Sequence, residues 1–255
     1  MRRAAWKVSE LALPYGLTVL LLVSLWEFAS RRINPLFFPG PTTVWRSFLA
    51  LASGDLAAHV GVSLVRILTG FLLGSLVGIP LGLLMGGIPV IRRLLDGTVE
   101  FFRFIPPIAM IVLAVVWFGT GEASKVFLII FSTVFLVTVN TEDGVYHVVR
   151  NRIRAVQAMG AGPWDVFRLV ILPSAVPHAL TGMRIAMGNA FSTIVSAEMI
   201  VADRGIGFLL QDSRLFLRTG HIFVALVALG LLGFATDRVF RILIARFGGE
   251  YVVVR

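Results

Sequence analysis

Long apolar runs alternate with short polar intervals along this chain. Six runs approach the ~20 residues that a helix needs to cross a hydrocarbon core of ~30 Å. They lie at 11–30, 63–88, 98–118, 124–141, 178–202 and 220–241. The pattern predicts an all-α integral membrane protein with six transmembrane helices in a single domain over 1–255. The first run is too long for the ~7–15-residue core of a signal peptide, and Trp26-Glu27-Phe28 and Arg31-Arg32 close it, so it reads as a retained span. The third contains Pro106-Pro107 and the fourth is short, and these two fit a straight span least well. In the second, Gly70, Gly74, Gly78, Gly82 and Gly86 recur every four residues and form a slowly drifting stripe on one helix face. Such a stripe serves close helix packing in lipid, or else a gate or pore lining.

Composition narrows the class. The chain is 57% hydrophobic and 15% charged, against ~45–50% and ~25% in soluble domains. That excludes both an ordinary soluble fold and disorder. Lys and Arg number 23 against 14 acids, a net +9, and they sit at the ends of apolar runs rather than on one basic face. This is the distribution of cytoplasmic loops, not of a nucleic-acid surface. With both termini placed inside, 13 of the 23 basic residues fall in inside segments, 7 outside and 3 in spans. An odd number of spans spoils that bias. There is no cysteine, hence no disulfide and no thiolate metal site.

Signatures of catalysis are missing. Gly119 to Val126 superficially suggests a phosphate-binding loop, but Ser124 stands where the second glycine belongs and Val126 replaces the Ser/Thr. It reads as an outside turn between two helices. His59, His147, His178 and His221 have no i, i+4 pairing, so no metal site is expected, and no Gly-x-Ser-x-Gly elbow occurs.

The longest polar interval, 142–177, is cytoplasmic in this topology and has room for short helices on the membrane. Its sequence predicts a helix to about Met159, a break at Gly160-Ala161-Gly162-Pro163, and a second short helix with Asp165 in its first turn. Met159, Trp164 and Phe167 are either anchors for a partner or residents of the membrane interface.

The same segment resembles the cytoplasmic "EAA" loop of permease subunits in bacterial ABC importers: Glu-Ala-Ala, three residues, Gly, nine residues, Ile-x-Leu-Pro. Ala155, Gly160 and Val170-Ile171-Leu172-Pro173 match, whereas Arg154 replaces Glu and Val156 the second Ala. Further stretches are similar to the nitrate/sulfonate/taurine/bicarbonate branch. They include Phe38-Pro39-Gly40-Pro41, Ser63-Leu64-Val65-Arg66, Trp117-Phe118-Gly119-Thr120-Gly121, Asn140-Thr141-Glu142-Asp143-Gly144, Ala197-Glu198-Met199 and Gly205-Ile206-Gly207. The resemblance implies a type I importer permease (MetI-like) fold in the bacterial inner membrane. It implies a homodimer of permeases, two cytoplasmic ATPases and a periplasmic or lipid-anchored binding protein. It also implies a small anionic or sulfonated solute. ATP and Mg belong to the ATPase, and this chain carries no cofactor and no catalytic site. Arg154, Ala155, Met159, Gly160, Ala161, Trp164, Phe167, Leu172 and Pro173 are the implied ATPase-coupling residues. The alternative is a stand-alone secondary transporter or channel.

Polar residues inside apolar runs are functional candidates in a membrane protein. Glu100 and Arg103, three apart near the start of the third run, can pair with each other at the cytoplasmic boundary. Arg184 lies about 9 Å into the fifth run at 1.5 Å per residue, and either snorkels or meets an anion. Asn189, Ser192, Thr193 and Ser196 line a polar path or bond between helices. Glu198 is expected to accept backbone N–H groups or an arginine and to shape an outer gate. Arg214 and Arg218, i and i+4, can present one basic edge that docks a binding protein, that attracts anions, or that simply belongs to a solvated loop.

Overall fold

The computed structural model describes residues 2–148 and 150–247, and every regular element among them is helical. In chain order these are α1 (Arg2–Ser30), α2 (Pro41–Ala52), α3 (Leu56–Gly87), α4 (Pro89–Arg103), α5 (Ile111–Phe118) and α6 (Glu122–Tyr146). After them come α7 (Arg150–Ala158), α8 (Pro163–Val166), a π-helical turn Phe167–Ile171, α9 (Leu172–Val201), α10 (Ile206–Leu215) and α11 (Thr219–Phe247). Contacts divide them into two compact units, one of residues up to 57 with 209–227, the other of 58–208 with the residues from 228.

In the first unit, Trp26 of α1 stacks on Phe223 of α11 at 5.7 Å, and Phe38 meets the same ring edge-on at 5.8 Å. The Trp26 indole N–H donates to the Pro39 carbonyl at 3.0 Å. This satisfies a polar atom that lipid would leave bare. Gly40 and Pro41 then open α2, where proline's missing N–H costs nothing.

The second unit is built on α3, α6 and α9. The glycine stripe of α3 is a packing seam. A Cβ added at Gly70 would lie 2.5 Å from Ile129 Cβ, at Gly74 2.7 Å from Thr133 Cβ, and at Gly78 3.0 Å from Val137 Cβ. At Gly82 it would lie 2.7 Å from Thr141 Cβ, and at Gly86 2.5 Å from Val145 Cβ. Each glycine thus seats one β-branched residue of α6, and both series advance by four. Lipid supplies no solvent drive for helix association, so this close approach and its dispersion contacts hold the pair together. The numbering also fixes direction: α3 and α6 run parallel. Helix α9 runs antiparallel to them, since a Cβ added at Gly144 of α6 would lie 2.6 Å from His178 Cβ and one added at Gly182 of α9 2.6 Å from Asn140 Cβ. Ile67 and Phe71 of α3, Ile129 and Val137 of α6, and Ala186 and Ile194 of α9 form the core between them.

Because α3 and α6 are parallel, the chain must return along their length between Gly87 and Glu122. It does so in pieces. The expected straight span over 98–118 is therefore corrected: α4 ends at Arg103, and Pro106-Pro107, which lack N–H donors and bar helical continuation, break it. Short turns carry the backbone across the gap (Ala109 N–H to Pro106 O, 2.9 Å; Met110 N–H to Pro107 O, 3.1 Å) before α5 begins. By length and apolarity four described segments can cross a membrane: 56–87, 122–146, 163–201 and 219–246. The apolar part of α1 within the residues searched, Gly16–Ser30, is shorter. The turn read at 119–126 spans less than expected. Gly119 (φ 72°) ends α5, but Ser124 and Lys125 are buried in the first turn of α6. Lys125 Nζ donates there to the carbonyls of Thr120 (2.9 Å) and Gly121 (3.2 Å).

Candidate functional site

Three places in the second unit concentrate polar side chains. The first is the end where α3 and α6 begin and α9 finishes. Arg66 of α3 presents its guanidinium as a fork to Glu122 of α6, with Nε donating to Oε2 at 2.6 Å and Nη2 to Oε1. Its Nη1 donates to Glu198 Oε1 of α9 at 2.8 Å and to the Arg204 carbonyl at 2.7 Å. Glu198 is wholly buried (0% side-chain exposure) and also accepts from Ser63 Oγ at 2.8 Å and from the Gly207 N–H at 2.9 Å. The Ser63 hydroxyl in turn accepts the Ile206 N–H at 2.9 Å, and His59 Nδ1 accepts the Gly205 N–H at 3.0 Å. Gly205 (φ 125°) passes so close to the Glu198 carboxylate that a Cβ would overlap it. Every partner of both charges is satisfied, which is what a buried ion pair requires. Sequence reading named Glu198 but missed Arg66, Glu122, Ser63 and His59. The available signal was Arg66 itself, a lone charge near the start of an apolar run.

The second place is the break between α4 and α5. Arg103 pairs with Glu100, Nε to Oε2 at 2.9 Å. It lies beside a cleft of about 350 Å³ whose far wall is Phe131, Ser132 and Phe135, halfway along α6. Asn189 of α9 lines the same cleft. Ser192 and Ser196 continue this face of α9, Ser192 exposed and Ser196 donating to the Ser192 carbonyl at 3.1 Å. Arg184 is elsewhere and engaged: its Nε donates to Asp237 of α11 at 2.8 Å, and Asp237 also takes Arg241 at 2.8 Å.

The third is the hairpin at the opposite end. Helix α7 ends in a left-handed glycine turn: Gly160 has φ 88°, its N–H reaches Gln157 O at 2.9 Å, and the Ala161 N–H reaches Val156 O at 3.2 Å. This double closure caps the last carbonyls of α7 and needs a residue without a Cβ penalty. Pro163 opens α8, and the Asp165 carboxylate accepts the Gly162 N–H at 3.1 Å. The π turn then feeds Leu172 and Pro173 directly into α9. Arg154 and Ala155 are exposed, Ala161 and Phe167 half-buried, and Met159 and Trp164 are 85% and 68% exposed. Trp164 stacks on Phe167 at 5.5 Å, and its ring also lines an apolar cavity of about 660 Å³ with Pro80 and Leu84. Nearby, His147 and His178, far apart in sequence, stack at 5.8 Å around Asp143. Among the described residues no group of three or more such side chains could hold a metal.

Residues 78–249 match the family described as binding-protein-dependent transport system inner membrane component. The chain is 37% identical to the taurine transport system permease protein TauC of Escherichia coli K12, covering 92% of this chain and 90% of the relative. It is 35% identical to the putative aliphatic sulfonates transport permease protein SsuC of the same organism (91% and 87%). It is 28% identical to the nitrate import permease protein NrtB of Synechococcus elongatus (93% and 91%). Its fold matches a chain of the inward-facing MetNI methionine ABC transporter with TM-score 0.60 at 22% identity, over 74% of this chain and 95% of that one.

Proposed function

This chain belongs to the family of binding-protein-dependent transport system inner membrane components, and on that premise we propose that it imports a small anionic or sulfonated solute, coupled through the hairpin at Gly160 to a separate ATPase. It is an ABC transporter permease with membrane-spanning helices, of the branch that includes the taurine, sulfonate and nitrate relatives. The single observation that carries the coupling is the hairpin itself. A rigid, capped turn projects Met159 and Trp164 into the open, and bulky apolar side chains exposed together mark a contact surface. Arg154, Ala155, Ala161 and Phe167 flank it, and Leu172-Pro173 pass any displacement straight into α9. Movement is transmitted through a rigid element, as coupling between distant sites demands. Two copies of the permease, two ATPases and a solute-binding protein complete the assembly, with both termini cytoplasmic in accord with the 13-to-7 distribution of basic residues. ATP and Mg act on the ATPase.

The test is reconstitution of the permease with its ATPase and binding protein in proteoliposomes. Uptake should require ATP. A β-branched residue in the left-handed region costs at least ~1–2 kcal/mol, so Gly160→Val should cut uptake about tenfold or more while the ATPase retains basal hydrolysis. Gly160→Asn, which tolerates that conformation, should lose far less. Normal ATP-coupled uptake by Gly160→Val removes the coupling assignment. Uptake by the permease alone, driven by an ion gradient, establishes the stand-alone transporter instead.

A further inference from the structure

The cleft at the α4–α5 break holds a charge where a membrane protein rarely keeps one. Ser132 lies ten residues into α6, about 15 Å from its start at 1.5 Å per residue, which is half of a ~30 Å hydrocarbon core. Asn189 is equally central on α9. Arg103 therefore sits near mid-membrane, beside an interrupted helix. A charge at that depth faces a cavity or a partner, and broken helices are tolerated there only where they line one. Glu100 occupies Nε alone. No acceptor among the described residues takes the terminal N–H groups of Arg103 or the side-chain amide of Asn189. Ser132 is not a free donor, since its hydroxyl is given to Ile129 O at 3.0 Å. The remaining wall is apolar, with three phenylalanine rings beside Ile105, Pro106, Pro107, Leu136 and Ile185. Phe102 stacks on Phe135 at 5.8 Å, and Phe131 meets Phe135 edge-on at 5.2 Å.

Guanidinium and amide donors beside a three-ring apolar wall describe one ligand chemistry. We propose that this cleft is a transit site for a small organosulfonate: Arg103 and Asn189 donate to the sulfonate oxygens, and Phe102, Phe131 and Phe135 receive the hydrocarbon part. The assignment rests on the transport reading above and deepens it, because an inorganic anion makes no use of the aromatic wall. Glu100 has two effects. It orients the guanidinium, and it offsets the arginine's charge, so the anion is held by hydrogen bonds and released. A transit site needs both entry and exit.

The chain has no cysteine, so a thiol can be placed in the cleft alone. In the assembled transporter, the rates at which N189C reacts with 2-sulfonatoethyl and 2-(trimethylammonio)ethyl methanethiosulfonate are measured by mass on the permease. Each is taken relative to its rate with a free thiol. The anionic reagent should be favoured about tenfold, as one charge-assisted hydrogen bond implies. R103Q in the N189C background should abolish the preference. Butanesulfonate should slow the modification, and nitrate at the same concentration should not. Equal relative rates, or a preference that survives R103Q, overturn the site. Protection by nitrate as strong as by butanesulfonate overturns its organosulfonate character. If the unsubstituted complex shows no ATP-driven uptake of butanesulfonate, taurine or nitrate, it is the transport reading that fails, whereas uptake of nitrate alone overturns only the organosulfonate site, so the two failures are told apart.

Discussion

Glu198→Ala should lower the stability of the permease by about 3–5 kcal/mol, the cost of leaving one partner of a buried ion pair uncompensated. The geometry states what is lost. Arg66, with 3% of its side chain exposed, keeps Glu122 and the Arg204 carbonyl but loses the charged acceptor of Nη1, while the Gly207 N–H and the Ser63 hydroxyl lose theirs. Glu198→Gln retains an acceptor oxygen for these donors and should cost markedly less. The double replacement R66M/E198M removes both charges together and should recover part of the alanine loss, because apolar side chains of similar volume can substitute for a buried pair. Thermal unfolding midpoints of the purified proteins in one detergent measure all three. A midpoint for Glu198→Ala within a degree of the parent would mean that the network carries no stability.

A second large effect is expected at the α3–α6 seam. Gly82→Ala places a Cβ 2.5 Å from the Thr138 carbonyl oxygen and 2.7 Å from Thr141 Cβ. The first of these is backbone and cannot step aside, so the helices must part, at about 1–3 kcal/mol for an overpacked contact. Gly61→Ala makes the same chemical change in the same helix, where nothing lies within 4 Å. It should stabilise by roughly 0.5–1 kcal/mol through helix propensity alone. The opposite signs separate packing from propensity. Equal shifts for the two variants, read as unfolding midpoints, would show that the seam is not closely packed in the membrane protein.

Features encoded locally were legible in the sequence. The hairpin at Gly160 could be placed because two glycines, one proline and one aspartate within six residues determine it by turn chemistry. Glu100 and Arg103 could be paired because three residues separate them on one helix. Four of the long spans followed from apolar length, with helix ends displaced by one to seven residues. Pro106-Pro107 signalled trouble in the third span, but the depth of the break depends on what packs beside it, and periodicity carries no such information. Distance along the chain hid the rest. Arg66 meets partners 56 and 132 residues away, and nothing near position 66 announces them. Lys125 was misplaced for a related reason. The broken glycine motif suggested an outside turn over 119–126, whereas the Lys125 ammonium takes the Thr120 and Gly121 carbonyls and its stem lies inside. Arg184 looked available to a substrate until α11 brought Asp237 against it.

The glycine seam is a comb. Its five notches on α3 are identical, and the five teeth on α6 (Ile129, Thr133, Val137, Thr141 and Val145) are all β-branched and nearly equivalent. If one helix slid by four residues, about 6 Å, four of the five teeth would drop into notches indistinguishable from those they left. The seam therefore sets distance and direction but leaves the axial register almost degenerate. What selects one register are the unlike contacts, the fork of Arg66 on Glu122 at its end and the Thr138 hydroxyl donated to the Gly78 carbonyl at 3.2 Å, much as one buried polar residue selects the register of a coiled coil.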